Sequence, residues 1–374
     1  MKKIAISLGI IGVVAAVVIG ATTAYFSDTE TSTGNTISAG TIDIAVDGQN
    51  PWSEDYFFAL EDMKPSYVKY SIFTIQNVES NPVRVWKHIK NVKTSDGIMS
   101  EPECTDGGGV WNPAANEQDD KCAGGNYIPK HNIDKVIEYD MYICEGDKSI
   151  CQVDGDGKPT GNNWTIVIDK DDGITLRDIK SHYIYLGELE KNEKMTVVQS
   201  YHMKSDTGNW AQGDAVTFDI ELLALQLNAS GPNKTTLLLE NKDSNWDRIT
   251  GDGRYGILTY ETENDTFDYD LKVRGLKPGG NYALVYAPDP WPQAVDSAST
   301  EIATFTTDAN GNKDISDSMN LGYNIPHPNE DNYPDGGKIW VVLKADHDGT
   351  KMTVWNPDEY LFEYNLVRYE DTND

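Results

Sequence analysis

Positive charge is what this sequence has least of. Across 374 residues, 31 Lys and Arg stand against 60 Asp and Glu, a formal net charge of −29. Such a field repels nucleic acid and anionic lipid, which excludes both as partners, and it draws divalent cations. The same excess also serves solubility, or life in a salty or hot medium. Histidine is scarce as well. The six are His88, His131, His182, His202, His327 and His347, and none lies within five residues of another. The His-Glu-x-x-His arrangement, two imidazoles one helical turn apart with a glutamate base, is therefore missing. No Gly-x-Ser-x-Gly elbow is present. No Cys-x-x-Cys pair occurs among the four cysteines, which argues against a zinc ribbon. Heptads and solenoid-length repeats are absent too. These gaps read against an enzyme.

What is present begins with the first fifty residues. Lys2 and Lys3 are followed by an uncharged apolar run from Ile4 to Ile19, and then by the small residues Ala21-Thr22-Thr23-Ala24. That order predicts a signal peptide, 1–24, cut by a signal peptidase between Ala24 and Tyr25. A retained membrane anchor is the rival, because the run approaches the roughly 20 residues that span a bilayer. Small residues after the run, and no basic cluster there, favour cleavage.

Beyond the cut come Tyr25-Phe26-Ser27-Asp28, a spacer rich in Thr and Ser, and Ala39-Gly40-Thr41-Ile42-Asp43-Ile44. This spaced pair of motifs resembles the start of the TasA/camelysin family. The likeness continues more loosely to about Asn228, through Met63-Lys64-Pro65-Ser66, where the family has a Gly in place of Ser66. Short strands at regular spacing along the chain imply a sandwich of jelly-roll type, and the resemblance implies a secreted protein. For filament-forming relatives it also implies assembly by donating an N-terminal strand to a neighbour. Camelysin-type relatives carry a metallopeptidase label, the least favoured reading here.

The rest of the chain reads as all-β. Apolar content of 39% with 10% aromatics suits a folded chain, and the length suits two domains. Strands are expected near 41–46, 68–78, 83–89, 183–189, 195–203 and 215–226. In the last, Val216, Phe218, Ile220 and Leu222 alternate with Thr217, Asp219 and Glu221, the mark of a half-buried antiparallel strand. The expected organisation is a donor segment 25–40, a first sandwich 41–228 with an insert at 93–160, a linker 229–233, and a second, smaller sandwich 234–374. Within the insert, 134–143 is a candidate regular segment, and 164–168 is another just beyond it. Further strands are expected at 267–273, 282–286, 302–306 and 338–343, with hairpin turns at 278–281 and 310–312.

All four cysteines lie between Cys104 and Cys151. In a secreted chain they predict the local disulfides Cys104–Cys122 and Cys144–Cys151, each pinning a Gly/Asp-rich loop. Four loops space carboxylates or amides two apart: Asp154/Asp156, Asp169/Asp171, Asp308/Asn310 and Asp346/Asp348. Hard oxygens at that spacing suit Ca²⁺, and the same residues suit any tight turn. Sequons at Asn163, Asn228, Asn233 and Asn264 are candidate glycan acceptors. The aromatics Trp246, Tyr255, Trp291, Tyr323, Tyr333 and Trp355 lie in polar surroundings. They would stack on a cell-surface glycan or fill a small β-core.

The leading expectation is a secreted structural subunit that polymerises with itself. Its donor segment would use Tyr25, Phe26 and Ile37 as anchors. That segment has no Pro, can extend, and is too poor in apolar residues to fold by itself. The alternative is a monomeric secreted or surface-attached binding protein, for glycan or calcium-dependent adhesion.

Overall fold

A computed structural model gives the fold. It describes residues 27–31, 42–52, 58–60, 63–95, 100–115, 121–124, 133–180, 182–211, 214–227, 229, 231–288, 299–328 and 332–373. The first half contributes β1 (Ser27–Thr31), β2 (Ile44–Val46), β3 (Phe58–Leu60), β4 (Val68–Asn77), β5 (Val83–Ser95), β6 (Val110–Trp111), β7 (Cys122–Ala123), β8 (Ile137–Glu145), β9 (Thr165–Ile168), β10 (Tyr183–Leu189), β11 (Lys194–Met203) and β12 (Ala215–Gln226). The second contributes β13 (Lys234–Glu240), β14 (Tyr255–Glu261), β15 (Glu263–Asn264), β16 (Phe267–Arg274), β17 (Asn281–Tyr286), β18 (Thr300–Thr306), β19 (Lys313–Met319), β20 (Ile339–Leu343), β21 (Phe362–Glu363) and β22 (Glu370–Asp371). Two short helices, α1 (Glu101–Asp106) and α2 (Leu176–Ile179), complete the regular elements that matter below. Among the described residues no helix is long and apolar enough to cross a membrane.

The architecture is all-β. One sheet runs β1-β12-β5-β10-β13-β14-β16-β19, with β3 also on β12 and β21 also on β13. A second runs β2-β4-β11-β8-β9 and faces its first half. Successive strands cross between these sheets, β4 to β5 and then β9 to β10 to β11 to β12, which is the habit of a jelly roll. The inward residues Val83, Val85, Phe73, Val197, Phe218 and Leu222 form the first core. A third sheet, β18-β17-β20, covers the other half of the long sheet over a second core that includes Leu239, Leu258, Phe267 and Leu284. Alternation is cleanest in β16, where Phe267, Tyr269, Leu271 and Val273 are buried and the charged residues between them are partly open.

The two halves share their long sheet. β10 and β13 meet as a parallel pair at Ile184 and Thr236. β13 is buried on both faces: Leu238 belongs to the first core, Leu237 and Leu239 to the second. The stretch expected to be a linker is fastened down. Ala229 packs with Trp86 and Leu225, and the Thr262 hydroxyl donates to the Pro232 carbonyl at 2.7 Å.

Three expectations need correction. The stretch 93–160 is not wholly an excursion, because β5 runs on to Ser95 and β8 sits inside the second sheet between β11 and β9. Ile137, Tyr139 and Met141 are fully buried there, so this segment is core. The turns at 278–281 and 310–312 are not hairpins either. Each carries the chain from one sheet to the other, since β16 and β19 pair together while β17 and β18 pair across from them. The two turns lock to each other through Gly279 N to the Asp308 carbonyl and Leu276 N to the Gly311 carbonyl. Gly311 has a φ of 80°, and a Cβ there would strike the Leu276 carbonyl. The third concerns strands that went unread. β14 carries Gly256, whose missing side chain admits Leu239 of the neighbouring strand, and β19 has almost no apolar alternation because it is an open edge.

Candidate functional site

The outer edge of β12 is where the N-terminal segment lies. β12 pairs with β5 along one side, from Ala215 opposite Ser95 to Gln226 opposite Val83. Its other side is divided. β3 takes Val216 to Phe218, and β1 takes Glu221 to Leu225, antiparallel, with Ser27 opposite Leu225 and Thr31 opposite Glu221. Asp219 and Ile220 fall between these two partners. Just there the register with β5 slips between Thr217 and Asp219. Asn91 absorbs the slip with a left-handed φ of 54°, and its amide donates to Asp219 Oδ2 at 2.6 Å. The bulge bends the sheet between the β3 seat and the β1 seat.

Glu221, at the end of the β1 seat, is the best-held charge on this face. Its carboxylate accepts from Lys90 Nζ at 2.6 Å and Tyr183 Oη at 2.7 Å, and lies 3.0 Å from His88 Nδ1. Burial works against the charge, but the hydrogen bonds from His88, Lys90 and Tyr183 win and bring its pKa down to about 2. Inside the sandwich, Lys87 is fully buried and donates to Tyr139 Oη at 2.7 Å, and burial brings its pKa down to about 7.

Ala24, Tyr25, Phe26 and Ile37 lie outside the described residues, as do Asn228, His131 and Trp291. Both disulfides are formed, Cys104–Cys122 and Cys144–Cys151. The first ties α1 to β7 and the second ties β8 to the loop after it. Asn163 and Asn233 are exposed, whereas the Asn264 amide donates to Glu261 at 3.3 Å and Asp268 at 3.0 Å.

In three of the four candidate cation loops the first carboxylate caps its own turn. Asp154 Oδ1 accepts from the backbone of Asp156 and Lys158, Asp169 Oδ1 from Asp171, and Asp308 Oδ1 from Asn310 and Asn312. In the fourth, Asp348 caps the turn through Thr350 N and Lys351 N, while Asp346 is buried and accepts from Tyr360 Oη at 2.7 Å. Of the aromatics singled out, Trp246 and Tyr333 are open to solvent, Tyr255 is buried, and Trp355 packs among Trp246, Trp340 and Phe362.

The motif Gly251-Asp252-Gly253 has a structural role that the sequence did not disclose. Asp172 Oδ1 accepts from both Gly251 N and Gly253 N at 3.1 Å, which docks the β9–α2 loop onto the loop before β14. Beside it Arg248 donates to the Ile166 and Val167 carbonyls, and its Nη2 sits 3.0 Å from Glu240 Oε1. Burial nevertheless outweighs that pairing and pushes Glu240 up to about 8, while Asp172 rises to about 6.

Residues 1–96 match the family described as camelysin metallo-endopeptidase. The match covers about a quarter of the chain, at its N-terminal end. No curated protein and no solved structure matches the chain. The matched stretch takes in β1 to β5, among them the N-terminal strand β1 and β5, the inner neighbour of β12, but not β12 itself. Its description invites a metal centre, and the described side chains do not fit one. His88 is engaged with Glu221, His202 Nε2 with Asp140 and Ser200, and His347 with Ser299 and Glu301. Among the described residues no three His, Cys, Asp or Glu side chains are grouped to hold a metal ion. Ser299, His347 and Glu301 do line up as hydroxyl, imidazole and carboxylate, at 2.8 Å and 3.2 Å. Ser299 is buried, however, and its hydroxyl donates to the Thr350 carbonyl.

Proposed function

We propose that this protein is a secreted structural subunit that polymerises into extracellular or cell-surface filaments by passing its N-terminal strand to a neighbour. The observation that carries the reading is the seat of β1. It is a five-residue strand that, among the described residues, is joined to the sheet through β12 alone, along Glu221 to Leu225. A strand held by one edge can leave, and the edge it leaves presents unpaired N–H and C=O groups. An incoming copy of the same strand from another subunit satisfies the same groups in the same register, which is strand addition in trans. Because the donor and the acceptor edge are different parts of the surface, the contact is head-to-tail and propagates.

The stretch that matches the camelysin family supports the reading, since it contains the donor strand. Removal of the leader 1–24 by signal peptidase would free that strand from the membrane. Ten residues separate Thr31 from Ile42, a reach of about 33–36 Å when extended, enough to span to an adjoining sandwich. Deleting residues 25–36 tests the proposal. The truncated protein should stay folded and monomeric, and fibres of unchanged repeat from it would refute strand donation.

A further inference from the structure

Where β10 meets β13, the two halves border a partly open cavity of about 290 Å³. Arg84, Trp86, Tyr185, Gly231, Tyr260 and Arg368 are among its walls. The Arg84 side chain is nine-tenths buried, yet only its Nε is engaged, donating to Glu188 Oε1 at 3.0 Å. Among the described residues its Nη1 and Nη2 have no acceptor. Arg368 gives Nε to the Asp335 carbonyl at 3.1 Å and Nη2 to the Pro334 carbonyl at 2.9 Å, which leaves Nη1 without one. Trp86 and Tyr185 meet edge to face at 5.4 Å, and neither the indole N–H nor the phenol has a hydrogen-bond partner among the described residues.

We infer that this cavity binds a carboxylated sugar ring, a hexuronate, with its carboxylate on the open fork of Arg84. A guanidinium edge with both Nη atoms free matches a carboxylate in two parallel hydrogen bonds. The second arginine lining the cavity adds charge. Burial, and then the neighbouring charge of Arg84, press the pKa of Arg368 down, so an anion between the two relieves repulsion. Two acidic residues, Glu188 and Asp335, also line the site and set a limit on affinity. Aromatic edges and free donors suit a ring bearing hydroxyls, and the volume, at the small end for ligand sites, fits one ring. An acidic peptide would need an extended groove or a sheet edge. Neither is offered here, since β10 is paired on both sides by β5 and β13, and β13 by β10, β14 and β21. Two arginines facing one cavity stand out in a chain of charge −29.

The test titrates the mature full chain with glucuronate, glucose and triglutamate by ligand-observed NMR. Glucuronate should bind at least about tenfold more tightly than glucose, or roughly 1.4 kcal/mol, and weaken as salt rises. Arg84→Gln should lose at least that factor. Arg84→Lys, which keeps the charge but not the fork, should lose nearly as much at unchanged melting temperature. Should Arg84→Gln fail to fold, Arg368→Gln reads the same cavity and should weaken glucuronate several-fold. Equal binding of glucose, absence of glucuronate binding, indifference to all three variants, or tighter binding of triglutamate would each overturn the assignment.

Discussion

Thr29 of β1 is the register partner of Leu223 in β12. That pairing places the N-terminal segment two strands from the cavity at the seam, on an edge that nothing else covers between Glu221 and Leu225 among the described residues. If backbone pairing is what holds β1, removing one donor should loosen it without harming the sandwich. Thr29→Pro takes away a backbone N–H and cannot continue an inner ladder. Sedimentation should show filaments replaced by monomers, with a melting temperature close to that of the wild type. Filaments at wild-type yield would mean that β1 is not the joint.

Stability should peak in mild acid. Glu221 has a folded pKa near 2 against an ordinary 4.5. Its contribution, roughly 3 kcal/mol, is present above 4.5 and is lost as pH falls toward 2. Glu240 works the other way. Its folded pKa near 8 means that the folded state holds a proton the unfolded state has released, so stability falls as pH rises from 4.5 to 8. Melting curves against pH should therefore show two limbs. Glu221→Gln should flatten the acid limb and Glu240→Gln the alkaline one. A profile that either variant leaves unchanged contradicts the assignment of that limb.

The disulfides should matter to different extents. Cys144 and Cys151 are seven residues apart and Cys104 and Cys122 eighteen. Chain entropy alone gives about 2.5 kcal/mol for the first loop and about 3 kcal/mol for the second. Replacing the Cys144 pair by alanine has a further consequence, because Cys144 lies in β8 opposite Thr196 of the core strand β11. Denaturant melts of the two double alanine variants should show a larger loss for the Cys144 pair than its loop length accounts for. A loss smaller than that of the Cys104 pair would show that β8 holds without its staple.

Much of this fold was legible because half-buried strands alternate. Val216 to Leu222 and Phe267 to Val273 declared their inner faces, and the cysteine spacings declared their loops. Strands escaped notice where another constraint wrote the residue. Gly256 is small because Leu239 needs the space, and β19 is polar because an edge strand must not be sticky. β8 was expected as a regular segment at 134–143, but its Gly- and Asp-rich neighbours made it read as part of an insert and not as core, although Ile137, Tyr139 and Met141 alternate as inward residues. The continuous sheet was invisible for a different reason: one parallel contact between Ile184 and Thr236 leaves no local pattern. The motifs led to an expected donor segment at 25–40, whereas no local pattern pointed to the cavity. Arg84 and Arg368 are 284 positions apart and meet only because the last strands return to the seam.

The Asp/Asn/Gly loops give a further test. In the loop at 308–312, Asp308 Oδ1 accepts two backbone N–H groups, which hold its pKa below the usual range. If that carboxylate acts as a turn cap, Asp308→Ala should lower the melting temperature equally in millimolar calcium and in chelator. A loss seen only when calcium is present would reassign the loop to cation binding.

Strand donation is decided most directly by crosslinking across the β1 seat. Subunits carrying Thr29→Cys are mixed with subunits carrying Leu223→Cys, assembled, oxidised and run without reductant. Donation predicts disulfide-linked pairs containing one subunit of each kind, formed only under assembling conditions. If the mixture yields none, while a single chain bearing both cysteines closes internally within the filament, β1 stays on its own subunit and the proposed mechanism is wrong.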